Sequence, residues 1–206
     1  MVRIRDEEKR GAVVSPPPPP VYVCKPGENK IVAKRFKELG LEKFDEFVLA
    51  GERKMKFECS DDVEFYIRQN AFDEMLLHSY NMALKGKEAM GFILGEIMKW
   101  EKEYVVAHDA ITAQLESTSS SVRFGREAFN ELFALLDEVE YEYIIAGWYH
   151  SHIGYGSFMS DVDIETQKKY FNMPFHIAMV IDPINMEAKV FKLKNSKCIE
   201  VAYAIF

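Results

Sequence analysis

The chain has 206 residues, 48% of them hydrophobic and 13% aromatic. That is enough apolar material for one sizeable core, and it excludes global disorder or a fibrous repeat. Lys and Arg number 26 against 33 Asp and Glu, a net charge of −7, so binding of nucleic acid through a basic face is not expected. Cys24, Cys59 and Cys198 lie far apart and form no Cys-x-x-Cys pair, which reads as reduced thiols of a cytoplasmic protein. Residues 1–10 are charge-dense, without the apolar run of a signal peptide. The uncharged stretch 143–160 carries two histidines, serines and glycines, so no membrane span is expected.

Pro16 to Pro20 form a proline block that holds polyproline II and cannot join a helix or a central strand. Residues 1–20 therefore read as a disordered tail. Residues 21–56 read as an N-terminal extension of uncertain structure, with a short strand at 21–23 and a helix at 31–39 ended by Gly40. This piece is too small for a core of its own. Residues 57–206 read as a single catalytic domain. A strand is predicted over 63–67. Phe72, Met75, Leu76, Tyr80 and Ala83 then follow helical spacing up to Gly86. Strands at 90–100 and 104–111 precede a serine-rich loop at 112–121. Phe129, Leu132, Phe133 and Leu136 mark an amphipathic helix. A strand at 143–150, a glycine-rich loop, a helix at 161–171 and strands at 175–181, 188–193 and 199–205 complete the chain. The irregular alternation predicts an α/β fold, a mixed sheet with flanking helices.

There is no phosphate-binding glycine loop, dinucleotide fingerprint, serine-nucleophile elbow or His-Glu-x-x-His helix. One cluster remains. His150 and His152, two apart at the end of a strand, project from one face. A short glycine loop lets the chain fold back so that Asp163, one turn into the next helix, can supply an oxygen. Two nitrogens and one carboxylate leave a fourth tetrahedral position for water, as in catalytic zinc sites. Each half also has an ordinary reading. His-Ser-His alone does not define a zinc site, and Ser160-x-x-Asp163 equally describes a helix N-cap with an acidic first turn. His78, His108 and His176 read as packed or surface histidines.

Taken together, His150-Ser151-His152, seven residues, Ser160, two residues and Asp163 resemble the signature of the JAMM (MPN+) zinc metalloproteases, isopeptidases that remove ubiquitin and ubiquitin-like proteins. Glu88-Ala89-Met90-Gly91-Phe92-Ile93-Leu94-Gly95 matches the upstream Glu-x-x-Gly-x-hydrophobic-x-Gly strand of that family. Gly147-Trp148-Tyr149 and Val180-Ile181-Asp182-Pro183 are most similar to the proteasome-lid deubiquitinase and signalosome deneddylase subunits. Ile153 stands where those relatives usually carry Pro, a departure that removes no ligand.

The resemblance implies a cytidine-deaminase-like MPN fold with helices on both sides of a twisted sheet. It implies one zinc ion per chain on His150, His152 and Asp163, with a catalytic water. Glu88 would be the general base and Ser160 a donor to the oxyanion; Glu96, the rival carboxylate, falls outside the matched spacing. The implied substrate is the Gly-Gly tail of a ubiquitin or ubiquitin-like modifier joined to a lysine. That tail would add as a strand at the sheet edge, guided by the segment 112–121. Implied partners are ubiquitin-like conjugates and a proteasome-like complex, in the cytoplasm. Two other readings stay open: processing of a sulfur-carrier precursor, and a zinc-binding MPN scaffold without turnover. Residues before 57 are expected to be dispensable for chemistry and, through Tyr22 and Phe44, able to cover the groove. The end of the chain at Phe206, directly after a strand, implies a free-standing enzyme or one recruited through its N-terminal segment.

Overall fold

A computed structural model describes residues 13–41, 44, 55–112 and 143–206. In chain order these form β1 (Val13–Val14), β2 (Tyr22–Cys24), α1 (Lys30–Glu38), β3 (Glu58–Ile67), α2 (Gln69–Ala83), β4 (Met90–Lys99) and β5 (Glu103–Thr112). They are followed by β6 (Ile144–Ser151), α3 (Asp161–Tyr170), β7 (Ile177–Asp182), β8 (Glu187–Lys194) and β9 (Lys197–Ile205). The expected helix at 129–136 and all of the serine-rich loop after Thr112 lie outside the described residues.

The strands make one mixed sheet in the order β1-β4-β5-β3-β9-β8-β7-β6, with β2 added to β9 and a further β4–β6 pairing that closes the path on itself. Neighbours joined by tight turns are antiparallel, as β8 and β9 are across Asn195 and Ser196. Both turn residues have positive φ, 51° and 63°, the conformation a two-residue hairpin needs to match strand twist. Pairs separated by helices, such as β6 and β7, run parallel.

Side-chain alternation divides the core between the two faces of this sheet. Ile93, Tyr149, Ile177, Met179 and Val190 join one cluster with Phe72, Met75 and Leu76 of α2. Their strand neighbours Phe92, Trp148, Ala178, Val180 and Phe191 join a second cluster, with Met159 and Phe171 at the two ends of α3. Apolar residues thus run continuously along the central strands because both faces are covered. Ends follow local chemistry. Gly40 and Gly86, at φ 71° and 65°, stand beyond α1 and α2 as expected from the sequence.

The N-terminal part departs from expectation. Val13 and Val14 of the expected tail pair with Met98 and Lys99 of β4, and the Tyr104 hydroxyl donates to the Ser15 carbonyl at 2.7 Å. The sheet edge left open where β6 stops supplies these partners, and backbone groups along an edge are satisfied by such pairing. Nor is the segment from 21 separable: Cys24, Val32, Phe36 and Leu41 are buried in the same cluster as α2. Arg35 of α1 forms a two-pronged ion pair with Asp73 of α2. Tyr22 receives a hydrogen bond from Lys34, and Phe44 lies 4.9 Å from the Tyr80 ring of α2. All three cysteines are free. Among the described residues no helix is long and apolar enough to cross a membrane.

Gly91, in the Glu-x-x-Gly run, is required by packing. A Cβ there would stand 2.2 Å from the Ile111 carbonyl oxygen and 2.4 Å from the Tyr149 ring. Both obstacles are fixed, one being backbone and the other a buried ring. Gly91→Ala is expected to destabilise the fold by about 3 kcal/mol, the upper end of ordinary overpacking, read as a fall in the melting temperature.

Candidate metal centre

His150 ends the paired part of β6 on the α3 face, where its ring stacks on Trp148 at 4.6 Å and 15°. Ser151, pointing the other way, accepts a hydrogen bond from Ala89 N–H at 2.7 Å, and its own N–H donates to the Ala89 carbonyl at 2.9 Å. Met90 pairs in register with His150. This doubly bonded step holds Glu88, the residue before Ala89, beside the His-Ser-His turn. The Glu88 charge is felt at His152.

His152 is oriented by the loop that follows it. Its Nδ1 donates to the Gly156 carbonyl at 2.8 Å, which leaves the lone pair on Nε2, facing Asp163 Oδ2 at 3.8 Å. The loop is held in turn by Asp182, a fully buried carboxylate. Its oxygens accept from Gly154 N–H at 3.1 Å and Gly156 N–H at 2.6 Å, and from the backbone of Ile184 and Asn185.

Asp163 is brought in by α3. Ser160 caps the helix in a reciprocal capping box, with its backbone N–H and hydroxyl both donating to Asp163 Oδ2, at 2.7 and 2.6 Å. One turn on, buried Gln167 accepts from Trp148 Nε1 at 2.6 Å, so one strand–helix contact aligns both the His150 ring and the face of α3 that carries Asp163. Asp182, Gln167 and Trp148 are positioning groups to which the sequence reading gave no role. The Asp-Pro step after an apolar strand was the available signal for Asp182; nothing local marks Gln167.

Ligand atoms of His150, His152 and Asp163 all lie within 4.8 Å of one another, and His150 Nε2 stands 3.4 Å from Asp163 Oδ2. Ligands about 2.1 Å from a tetrahedral ion lie about 3.4 Å apart. His150 is 2% exposed, yet neither ring nitrogen has a hydrogen-bond partner. Such a group costs about 1–3 kcal/mol when left unpaired, and an ion on Nε2 would relieve this. The residues fit a borderline metal such as zinc, which takes nitrogen and oxygen ligands.

Burial pushes the Asp163 carboxyl up, but His150, His152 and Ser160 overcome it and hold the group well below the usual carboxylate range. Burial likewise opposes charge on His152, but Asp163, the Gly156 carbonyl and Glu88 raise it above its ordinary value. A metal needs the neutral imidazole, so uptake must displace a proton held to above about pH 6.5. Zinc affinity is therefore expected to rise with pH through and beyond that value, measured by competition with a chelator. In the metal-free chain the same shift stabilises the fold below about pH 6.5, a contribution lost as pH rises through the folded value.

The other candidates fall elsewhere. Glu96 bonds His108 Nε2 at 2.9 Å, six residues along β4 from Met90 and so about 20 Å away along the strand. His78 bonds the buried Tyr149 hydroxyl at 2.8 Å. His176 packs against Phe171 and Phe175, and burial lowers its pKa to about 4.

Residues 62–174 match the family described as JAB1/Mov34/MPN/PAD-1 ubiquitin protease. The chain is 33% identical over 122 residues to the 26S proteasome regulatory subunit RPN11 of Eremothecium gossypii, a match covering 58% of this chain and 38% of that relative. It is 33% identical over 102 residues to COP9 signalosome complex subunit 5 of Drosophila melanogaster, covering 47% and 30%. It is also 33% identical over 121 residues to the ubiquitin carboxyl-terminal hydrolase RPN11 of Saccharomyces cerevisiae, covering 58% and 38%. The matched segments span less than two-fifths of each of these relatives. With more than half of its length inside the match, the chain belongs to the JAB1/Mov34/MPN/PAD-1 ubiquitin protease family.

Proposed function

We propose that the chain is a zinc-dependent isopeptidase that hydrolyses the bond between the C-terminal Gly-Gly of a ubiquitin or ubiquitin-like modifier and a lysine. The observation that carries this reading is the convergence of His150, His152 and Asp163 beside a Glu88 fixed by the Ala89–Ser151 bonds. His150 Nε2, His152 Nε2 and an Asp163 oxygen would hold the ion. When bound, zinc supplies Lewis acidity, polarising the scissile carbonyl and lowering the pKa of water to about 7.

Glu88 takes a proton from the attacking water, whose oxygen bonds to the carbonyl carbon. The oxyanion that develops accepts the Ser160 hydroxyl proton. That proton rests on Asp163 Oδ2 before substrate arrives. The Ser160 backbone N–H keeps Asp163 held while the hydroxyl turns to substrate. Glu88 then returns its proton to the leaving lysine amine as the C–N bond breaks, giving a free Gly-Gly carboxylate and a free lysine.

Partners of this kind fit relatives named as subunits of the proteasome and the signalosome, and a cytoplasmic site of action goes with them. The test is hydrolysis by the zinc-loaded full chain of a ubiquitin-like Gly-Gly isopeptide, beside a linear fusion of the same modifier. Preferential isopeptide cleavage is expected. Cleavage of the linear fusion alone would favour processing of a sulfur-carrier precursor, and cleavage of neither would leave a zinc-holding scaffold.

A further inference from the structure

We propose that Glu187 and Asn29 are positioning residues for the metal centre, the bridge through which α1 sets the loop that aims His152; this rests on reading His150, His152 and Asp163 as that centre. Both residues lie outside the 62–174 family match. The Glu187 carboxylate divides its oxygens. Oε1 accepts from Ser157 N–H at 2.6 Å, and Oε2 accepts from the Asn29 side-chain amide at 2.7 Å. Ser157 follows Gly156, whose carbonyl receives His152 Nδ1–H. One carboxylate therefore separates the start of α1 from the peptide that selects the His152 tautomer. Contact is close: a Cβ on Gly156, which has φ +94°, would stand 3.3 Å from Glu187 Oε1.

Asn29 carries the second, independent observation. It occupies the N-cap of α1, yet its side chain makes no capping bond, and its Oδ1 is buried without a partner. An N-cap Asn is ordinarily worth about 0.5–2 kcal/mol to its helix. Here that role is forgone, and the amide instead satisfies a carboxylate 158 residues away, which can only accept. The turn before it is anchored separately, Gly27 N–H donating to Glu200 at 2.8 Å. The bridge therefore starts from a fixed point.

The test is zinc affinity of the full chain, by competition with a chromogenic chelator, together with the His152 ring tautomer read by ¹⁵N NMR. Removing groups that orient a metal-bound histidine typically costs 10–100-fold in affinity. Glu187→Ala and Asn29→Ala are each expected to weaken zinc by about tenfold, and the double variant by no more than the worse single, since both cut one bridge. Glu187→Gln should bind near wild type, because its amide oxygen still accepts from Ser157 while Asn29 turns its own oxygen to the new NH₂. A merely structural role would lower the melting temperature and leave affinity and the Nδ1-protonated tautomer unchanged. Wild-type zinc affinity and tautomer in Asn29→Ala overturn the proposal, even if Glu187→Ala fails to fold. Absence of zinc binding by the wild type would instead remove the reading on which it rests.

Discussion

Glu88→Gln is expected to keep its zinc and its melting temperature while losing about 10²–10⁴-fold in turnover, the usual contribution of a positioned general base. The substitution preserves size and one oxygen, and the bonds that place this residue belong to its neighbour: Ala89 N–H to Ser151 Oγ and Ser151 N–H to the Ala89 carbonyl. Only the capacity to take up a proton is removed. The loss should appear in kcat with metal content unchanged, whereas His152→Ala should lose zinc and turnover together. Turnover near wild type in Glu88→Gln would assign proton transfer to another group. Glu96 is poorly placed for that, since it is paired to His108 on the far part of β4.

A chain starting at Lys56 is expected not to fold. The sequence reading treated residues before 57 as dispensable for chemistry, because every matched motif residue lies between Glu88 and Asp163. Val32 and Phe36 are 0% exposed and Leu41 7%, all against the α2 side of the core. Full burial of such side chains is worth about 1.5–3 kcal/mol each, so three amount to roughly 5–9 kcal/mol, comparable with the whole stability of a domain. Loss of β2 would also bare the end of β9, where Tyr22, Val23 and Cys24 pair with Ile205, Ala204 and Tyr203. Circular dichroism and thermal unfolding of the shortened chain check this. A cooperative transition at the full-length temperature would contradict it. Phe36→Ala, at about 3–5 kcal/mol, gives the graded version.

What the sequence made legible follows chain proximity. His150, His152, Ser160 and Asp163 sit within one strand–loop–helix unit, so alternation and a capping pattern were enough to bring them together. The helix of Phe72 to Ala83 was readable because its apolar stripe is regular and Gly86 ends it. Placing Glu88 beside His150 rested on family resemblance alone. The physical cause is the β4–β6 register, Met90 opposite His150, which depends on pairing between strands more than fifty residues apart. The pairing of Asn29 with Glu187 was illegible for the same reason, since it spans 158 residues and neither residue carries a local signal. The N-terminal segment was misjudged because a short apolar piece shows no partner in its own pattern: Phe36 reads as an ordinary helical residue until the α2 cluster receives it.

The central claim is that this chain holds a catalytic zinc between His150, His152 and Asp163. Anomalous diffraction at the zinc edge, from crystals of the zinc-loaded full chain, tests it most directly. One strong peak per chain is predicted, within bonding distance of His150 Nε2, His152 Nε2 and an Asp163 oxygen. A loaded crystal with no peak there, or with its peak elsewhere in the fold, would contradict the account.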